Sequence, residues 1–376
     1  GQGPLPNPSL EKIMESWRKI QELGPFTNKV WPYIYKEIES TKIKLGEICG
    51  TNSNRIALTE NVTSGCLLAL WGLPLNQGEE ILISDCEHPG IISGCFELAR
   101  RKDLKVKFLK VQRLREGVEN AQQTENDLIQ ELEENISSKT RLVLISHILW
   151  NTGQNIPIDI IAKYLKTKKN SPYLIIDGAQ SFGQIPINKI AGNVDIYAFT
   201  GHKWACGAEG LGGVALSNRI VAESRPTLAG WRGLKNENHI DTEDINIFHA
   251  DARKFEIATS CIPLLAGLRC SLDLLEKEDF KDNRLSKITE MSSSLWKNLT
   301  SSQGVKTILK GPPSNGLVSF YLTNKSSNIE VVKLLGQKKI WIRDLYTPPC
   351  LRACIHITTT NFELQKLITA IRQIAK

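Results

Sequence analysis

The sequence predicts an α/β protein, a mostly parallel sheet covered by helices on both faces, followed by a smaller α+β region. Three observations predict it. From about residue 54, short apolar runs alternate with stretches of helical periodicity, the order that parallel pairing through helical crossovers requires. After Ser217 that rhythm breaks, and longer helices mix with strands of alternating apolar and polar residues. At 376 residues with 41% apolar and 23% charged content, the chain can bury a large core and divide into two domains.

Taken in order, helical periodicity over Thr63–Leu73 leads to a strand at Ile81–Ser84, a helix at Ile91–Arg101 and a strand at Val106–Leu109. A helix near Asp127–Asn135, a strand at Leu142–Ser146 and a helix at Asp159–Leu165 come next. Strands at Tyr173–Ile176, Val194–Phe199 and Gly213–Leu216 complete the alternating region. Residues Ala229–Asp251 are polar and rich in Gly and Asn, and their length marks a functional loop or subunit contact. Beyond Phe255 the pattern gives helices at Pro263–Glu276, Ser286–Leu299 and Phe362–Ile374, with strands at Val318–Leu322, Ile340–Ile342 and Ala353–Ile357. A helix after Ser9 is expected to pack near that region. The expected domains are 15–255, the large one, and 256–376 together with 1–14, the small one.

The net charge of +7 is spread among acids, as in Lys102–Lys110 and Arg113–Glu119, with no basic stripe interleaved with aromatics. Nucleic acid is therefore not the expected partner, and anionic small molecules are. No apolar run reaches the ~18 residues of a membrane span, and the first residues lack the pattern of a signal peptide. The nine cysteines show no Cys-x-x-Cys and no paired Cys/His spacing, and Cys66, Cys95, Cys261 and Cys270 sit in apolar helical patterns. A reducing, cytoplasmic location without a structural metal is the expectation.

Chemistry enters with Tyr173-Leu-Ile-Ile-Asp-Gly-Ala-Gln-Ser181 and Ala198-Phe-Thr-Gly-His-Lys203. An aspartate at the end of one buried strand and a lysine after the next are what pyridoxal phosphate requires. The acid keeps the pyridine nitrogen protonated so that the ring accepts electrons, and the lysine amine holds the aldehyde covalently. Asp-Gly alone is usually a turn and Gly-His-Lys a solvated loop. Their two strand ends, however, lie where parallel sheets place ligands. Upstream, Thr63-Ser64-Gly65 opens a helix, where hydroxyls and unpaired N–H groups bind phosphate or simply cap the turn. His88, in Glu87-His88-Pro89, follows a strand and can stack on a planar ring. Asn151 and Gln180 stand at further strand ends and can donate to the phenolic oxygen.

The order Thr-Ser-Gly, Glu-His, Asn, Asp-Gly-Ala-Gln and Thr-Gly-His-Lys resembles the class V aminotransferase-like branch of fold type I pyridoxal phosphate enzymes, and within it the cysteine desulfurase and selenocysteine lyase group. The resemblance covers nearly the whole chain. It implies that Lys203 carries the cofactor, Asp177 partners its pyridine nitrogen, His88 stacks on the ring and Gln180 reaches the phenolate. Thr63, Ser64, Thr200 and His202 would hold the phosphate. Asn151 departs from the usual Asn-x-x-Gly spacing. Phe255-Glu-Ile-Ala-Thr259 resembles a segment whose threonine, here Thr259, reaches the phosphate of the neighbouring subunit, which implies a homodimer with shared sites. Leu351-Arg352-Ala-Cys-Ile-His-Ile-Thr358 resembles the strand whose arginine pairs with the substrate carboxylate.

One departure is informative. Desulfurases of this group carry, between the positions of Arg343 and Arg352, a loop with the cysteine that attacks substrate sulfur. Here only Asp344–Leu351 separates the arginines, and Cys350 is expected on a short tight turn. Without that thiol, β-elimination can still expel sulfur from cystine or cysteine, a disulfide substrate leaving as a persulfide, and Arg343 and Arg352 suit the two carboxylates of cystine. The combination resembles the cystine C–S lyase subgroup. Pyruvate, ammonia and thiocysteine would be the products, and an iron–sulfur apoprotein a possible sulfur acceptor. A cysteine desulfurase giving alanine, a transaminase of the same fold and a non-catalytic sulfur-transfer scaffold are the alternatives.

Overall fold

The structure is a computed structural model, which describes residues 1–237, 243, 246–324 and 327–376. Of the polar segment Ala229–Asp251, residues 238–242, 244 and 245 lie outside the described residues; the rest includes a short turn at Trp231–Gly233 and a bridge from Leu234 to Phe248.

Seven strands form the large sheet: β1 (Ile56–Thr59), β2 (Glu80–Ser84), β3 (Lys105–Leu109), β4 (Thr140–Ser146), β5 (Tyr173–Asp177), β6 (Ile196–Thr200) and β7 (Gly212–Leu216). Their order is β1-β7-β6-β5-β4-β2-β3, and every neighbouring pair is parallel except the two made by β7. Alternate residues feed two cores. Leu82, Val143, Ile145, Leu174, Ile176 and Phe199 face one side, and Ile81, Ile83, Leu142, Leu144, Ile175 and Ile196 the other. Each such side chain contributes about 1.5–3 kcal/mol of burial, so the central strands have no polar face to offer water, and the edge strand β3 is partly exposed. Function is thereby confined to its ends.

Helices α1 (Asn7–Leu23), α2 (Val30–Cys49), α3 (Val62–Leu70), α4 (Pro89–Lys102), α5 (Ala121–Asn135), α6 (Ile158–Lys166) and α7 (Asn218–Glu223) surround this sheet. The sequence pattern did not disclose α2, and its inner face explains why. That face carries Glu37 and Lys42, which pair with Arg269 at 2.6 Å and Glu256 at 3.0 Å, so polar residues interrupt the apolar period.

The C-terminal part comprises α8 (Ile262–Asp282), α9 (Arg284–Thr300), β8 (Val305–Thr307), β9 (Leu317–Leu322), α10 (Asn328–Gln337), β10 (Arg343–Tyr346), β11 (Pro349–Cys354) and α11 (Asn361–Ile374). Its sheet is antiparallel in the order β10-β11-β9-β8. The strands expected at Ile340–Ile342 and Ala353–Ile357 are displaced inward to β10 and β11, which pair as a hairpin joined through Thr347 and Pro348. Cross-strand pairing overrides the local apolar runs on which the expectation rested. We propose that α8 is shared between the two domains: Ile262, Leu265, Leu268 and Leu272 join the large core although they follow residue 255. The N-terminal helix packs on α8, where Ser271 Oγ donates to Ser9 Oγ at 2.8 Å.

Among the described residues, no helix is long and apolar enough to cross a membrane. All nine cysteines are free.

Candidate active site

The carboxyl ends of β4, β5 and β6 meet the β10–β11 hairpin across a cleft of about 360 Å³. Thr63, His88, Asp177, Gln180, His202, Lys203, Arg343 and Arg352, all expected from sequence, line it. Asp177 ends β5 and is buried; Lys203 follows β6, the next strand in the sheet. Burial lifts the Asp177 carboxyl above its ordinary range, opposed by the Lys203 amine and by the Ala179 N–H, which donates to Oδ1 at 2.8 Å. Burial lowers the Lys203 amine, while Asp177 pulls it back up. Proximity to one carboxylate thus keeps a buried amine titratable.

Gln180 has its amide orientation fixed by Trp204, whose Nε1 donates to Gln180 Oε1 at 2.9 Å, leaving the amide nitrogen for the cleft. At the other end, Asn61 caps α3 by accepting from the Ser64 N–H at 2.9 Å. The capping task is therefore not taken by Thr63 or Ser64. Gly65 seats α3 against β6, because a Cβ there would meet the Ala198 methyl at 3.0 Å. Thr200 Oγ1 and His202 Nδ1 lie 2.8 Å apart beside that helix start.

His88 caps α4, its Nδ1 accepting from the Gly90 N–H at 3.2 Å. Its ring stands edge-on to Trp150, with centroids 5.6 Å apart. Burial first, then Lys203, lowers the imidazole pKa and favours the neutral ring.

Arg343 and Arg352 are direct cross-strand partners in the hairpin, Arg343 exposed and Arg352 buried. The Arg352 guanidinium donates to the Trp150 carbonyl and lies over the Trp150 ring at 5.8 Å. Cys350 is not on a turn, as the sequence had suggested, but within β11. Pairing with Leu345 across the hairpin buries it completely, among Ile308, Leu345, Trp150 and Tyr321. Burial pushes its thiol up to about 11.

Four expected residues do not line the cleft: Ser64 and Thr200, both described above, and Asn151 and Thr259. Asn151 donates to the Thr347 carbonyl at 2.7 Å and accepts the Thr152 N–H at 3.0 Å, so its amide ties the loop after β4 to the hairpin turn. Thr259 is exposed beyond the 3-10 turn Ala252–Phe255 and does not line the cleft.

Sequence reasoning missed Trp150 and Ser146, which also line the cleft. A tryptophan in a strand-end loop reads as core packing, and its position beside Asn151 was the only signal. Among the described residues, buried Trp150 Nε1 and Arg352 Nε have no hydrogen-bond partner. Unmet donors at a concave site, with a cation and a carboxylate opposite, fit a planar anionic molecule such as pyridoxal phosphate.

The comparisons with known proteins agree with this geometry. The model of the family Aminotransferase class-V matches residues 15–368. The chain belongs to the aminotransferase class-V family. Members of this family depend on pyridoxal phosphate. A cysteine desulfurase of Haloferax volcanii is 24% identical over 89% of this chain and 78% of its own length. An isopenicillin N epimerase of Amycolatopsis lactamdurans is 22% identical over 100% of this chain and 93% of its own. Among solved structures, a C-DES variant with glycine covalently linked to its PLP cofactor matches with TM-score 0.91 and 34% identity, covering 99% of this chain and 94% of that one. The cystine C–S lyase C-DES in complex with its reaction product, cysteine persulfide, matches with TM-score 0.89 and 34% identity over 99% and 95%.

Proposed function

We propose that this protein is a pyridoxal phosphate-dependent carbon–sulfur lyase that cleaves cystine, with one water, into pyruvate, ammonia and thiocysteine. The observation that carries this reading is the hairpin: it sets Arg343 and Arg352 side by side at the cleft and buries Cys350 below it. Two guanidinium groups suit a substrate with two carboxylates, because each planar fork can grip one in a bidentate pair. The 34% identity to C-DES, a cystine C–S lyase, supports the same substrate class.

When bound, pyridoxal phosphate supplies an electron sink for the pair left at the substrate Cα. Lys203 would anchor it and then take the Cα proton, a task for which an amine lowered by burial is suited. Asp177 would hold the ring nitrogen in its protonated form. Gln180 would donate its free amide N–H to the ring oxygen, and His88 would cover the ring face. Thr63, Ser64, Thr200 and His202 would hold the phosphate. Arg352 would grip the α-carboxylate and Arg343 the distal one. The leaving persulfide is a weaker base than a simple thiolate, so the C–S bond can break without attack by an enzyme thiol.

Further parts of the proposal are a homodimer in which the partner subunit's Thr259 completes the phosphate site, a cytoplasmic location, and delivery of the persulfide sulfur to an iron–sulfur apoprotein. The exposure of Thr259 outside its own cleft supports the first.

A second reading, a cysteine desulfurase, draws on Cys354, two residues beyond Arg352 on β11. Burial opposes its ionisation, but Arg352 leads the opposing influences and the thiol lies below its ordinary value. Product analysis separates the two. Incubation with cystine is expected to release pyruvate and ammonia in equal amounts; alanine from cysteine, abolished in Cys354→Ser, would establish the desulfurase instead.

A further inference from the structure

Behind Asp177 lies a second buried carboxyl group that the chemistry above does not use. Glu87, just after β2, is 4% exposed. Its Oε1 accepts the Ser146 N–H at 2.7 Å and the Ser84 hydroxyl at 2.5 Å, and its Oε2 lies 2.8 Å from Ser146 Oγ. Among the described residues it forms no ion pair, whereas the other buried glutamates, Glu37, Glu80, Glu116, Glu131 and Glu256, each pair with a lysine or arginine. An unpaired carboxylate in a dry interior is costly, and a second one beside Asp177 is costlier still.

We propose that Glu87 is a positioning residue that stands as a neutral carboxylic acid, so that the single negative charge at the back of the cleft belongs to Asp177. The three contacts say where the proton of the neutral acid would sit. The Ser146 N–H can only donate, so Oε1 is an acceptor in either form. In the neutral acid Oε2 carries the hydrogen and gives it to Ser146 Oγ, whereas in the carboxylate Ser146 Oγ donates to Oε2. Ser146 is thereby clamped at both its amide and its hydroxyl, and its own O–H is released toward the cleft it lines, in register with Asp177 on the neighbouring strand.

The titratable groups facing Glu87 are Asp177 on β5, Cys66 on α3, Cys95 on α4 and Cys86, which precedes Glu87 in the chain. None of them supplies a positive charge. The nearby cations, Lys203 and His88, act on Asp177. Burial, followed by the Asp177 charge, outweighs the hydrogen bonds from Ser84 and Ser146, which favour the ionised form, and pushes the Glu87 carboxyl up to about 8, in keeping with a proton retained at neutral pH. A group raised in this way stabilises the fold below its ordinary pKa, and that stability is lost as the pH climbs through the folded value.

The proposal rests on Asp177 as the partner of the cofactor nitrogen, yet it is testable in the cofactor-free full chain. In apoprotein carrying glutamate labelled with carbon-13 at the side-chain carboxyl, infrared difference spectra should show the carbonyl band of an un-ionised glutamic acid at pH 7. The band should fade as the pH rises past about 8 and be missing from Glu87→Gln. The unfolding midpoint of the parent, taken relative to Glu87→Gln, should fall by on the order of 5 °C from pH 5 to pH 9. A parent spectrum without that band at pH 7 overturns the proposal, even if Glu87→Gln fails to fold. Loss of cofactor retention in Asp177→Asn is a separate measurement; if it fails while the band is present, the assignment of Asp177 is at fault and the neutral Glu87 stands.

Discussion

Lys203 carries its proton less readily than an exposed lysine because burial disfavours the charge, Asp177 restores part of the loss, and Arg352 adds repulsion. Replacing Asp177 with Asn removes the one large influence that raises this amine. The Lys203 titration in the apoprotein, followed by the pH dependence of reaction with an amine reagent, should therefore move to lower pH in Asp177→Asn. A midpoint that stays or rises would show that the two groups do not share a field. The arginines allow a second contrast. Arg352 is buried and tied to the Trp150 carbonyl, whereas Arg343 is exposed at the mouth of the cleft. A charged, bidentate contact contributes about 1.5–3 kcal/mol, or roughly ten- to a hundredfold in kcat/KM. Arg352→Ala should lower kcat/KM for cystine and cysteine alike, and Arg343→Ala should lower it for cystine more than for cysteine. Equal losses on both substrates would remove Arg343 from the distal carboxylate.

At the scale of elements, the β10–β11 hairpin decides what the missing loop means. Its pairing puts Cys350 opposite Leu345 with no exposed surface, and burial holds the thiol protonated at neutral pH. Cys350→Ser should therefore leave pyruvate release from cystine within a few-fold of the parent. A loss of a thousandfold, on the order of what deleting a covalent nucleophile costs, would return the residue to the chemistry. The hairpin also shows how far the sequence could be read. Strands buried on both faces announced themselves as apolar runs, and with them came Asp177, Lys203 and Gln180, whose places follow from strand ends alone. Lines with mixed composition did not. The α2 helix was hidden by Glu37 and Lys42 on its inner face, and the hairpin register is set by cross-strand pairing that displaces both strands from their local apolar runs. Asn151 was legible as a strand-end polar residue. Its actual partner, the Thr347 carbonyl, belongs to a turn almost two hundred positions away, and no spacing rule reaches that far.

For the whole molecule, the proposed homodimer fixes which chain completes each site. Thr259 is exposed and does not line the cleft of its own chain, while the proposed phosphate site at Thr63, Ser64, Thr200 and His202 belongs to the large sheet. In a two-fold dimer each subunit would lend one threonine to the other, and complementation measures this directly. Lys203→Ala removes the anchor from its own site, and Thr259→Ala removes a phosphate contact from the partner's site. A dimer made of one of each then has one site with neither change and one with both. Random mixing yields half mixed dimers, so about a quarter of all sites should regain parental activity. The assay should run at limiting pyridoxal phosphate, where loss of a hydrogen bond to a charged group weakens binding by roughly ten- to a hundredfold. Each variant alone should be nearly inactive under those conditions. If Thr259 instead serves its own chain, every site with Lys203 in a mixed dimer also lacks the threonine, and the mixture shows no more than the average of the two variants. That second result would remove the shared site from the proposal while leaving the chemistry assigned to Lys203 and Asp177 untouched.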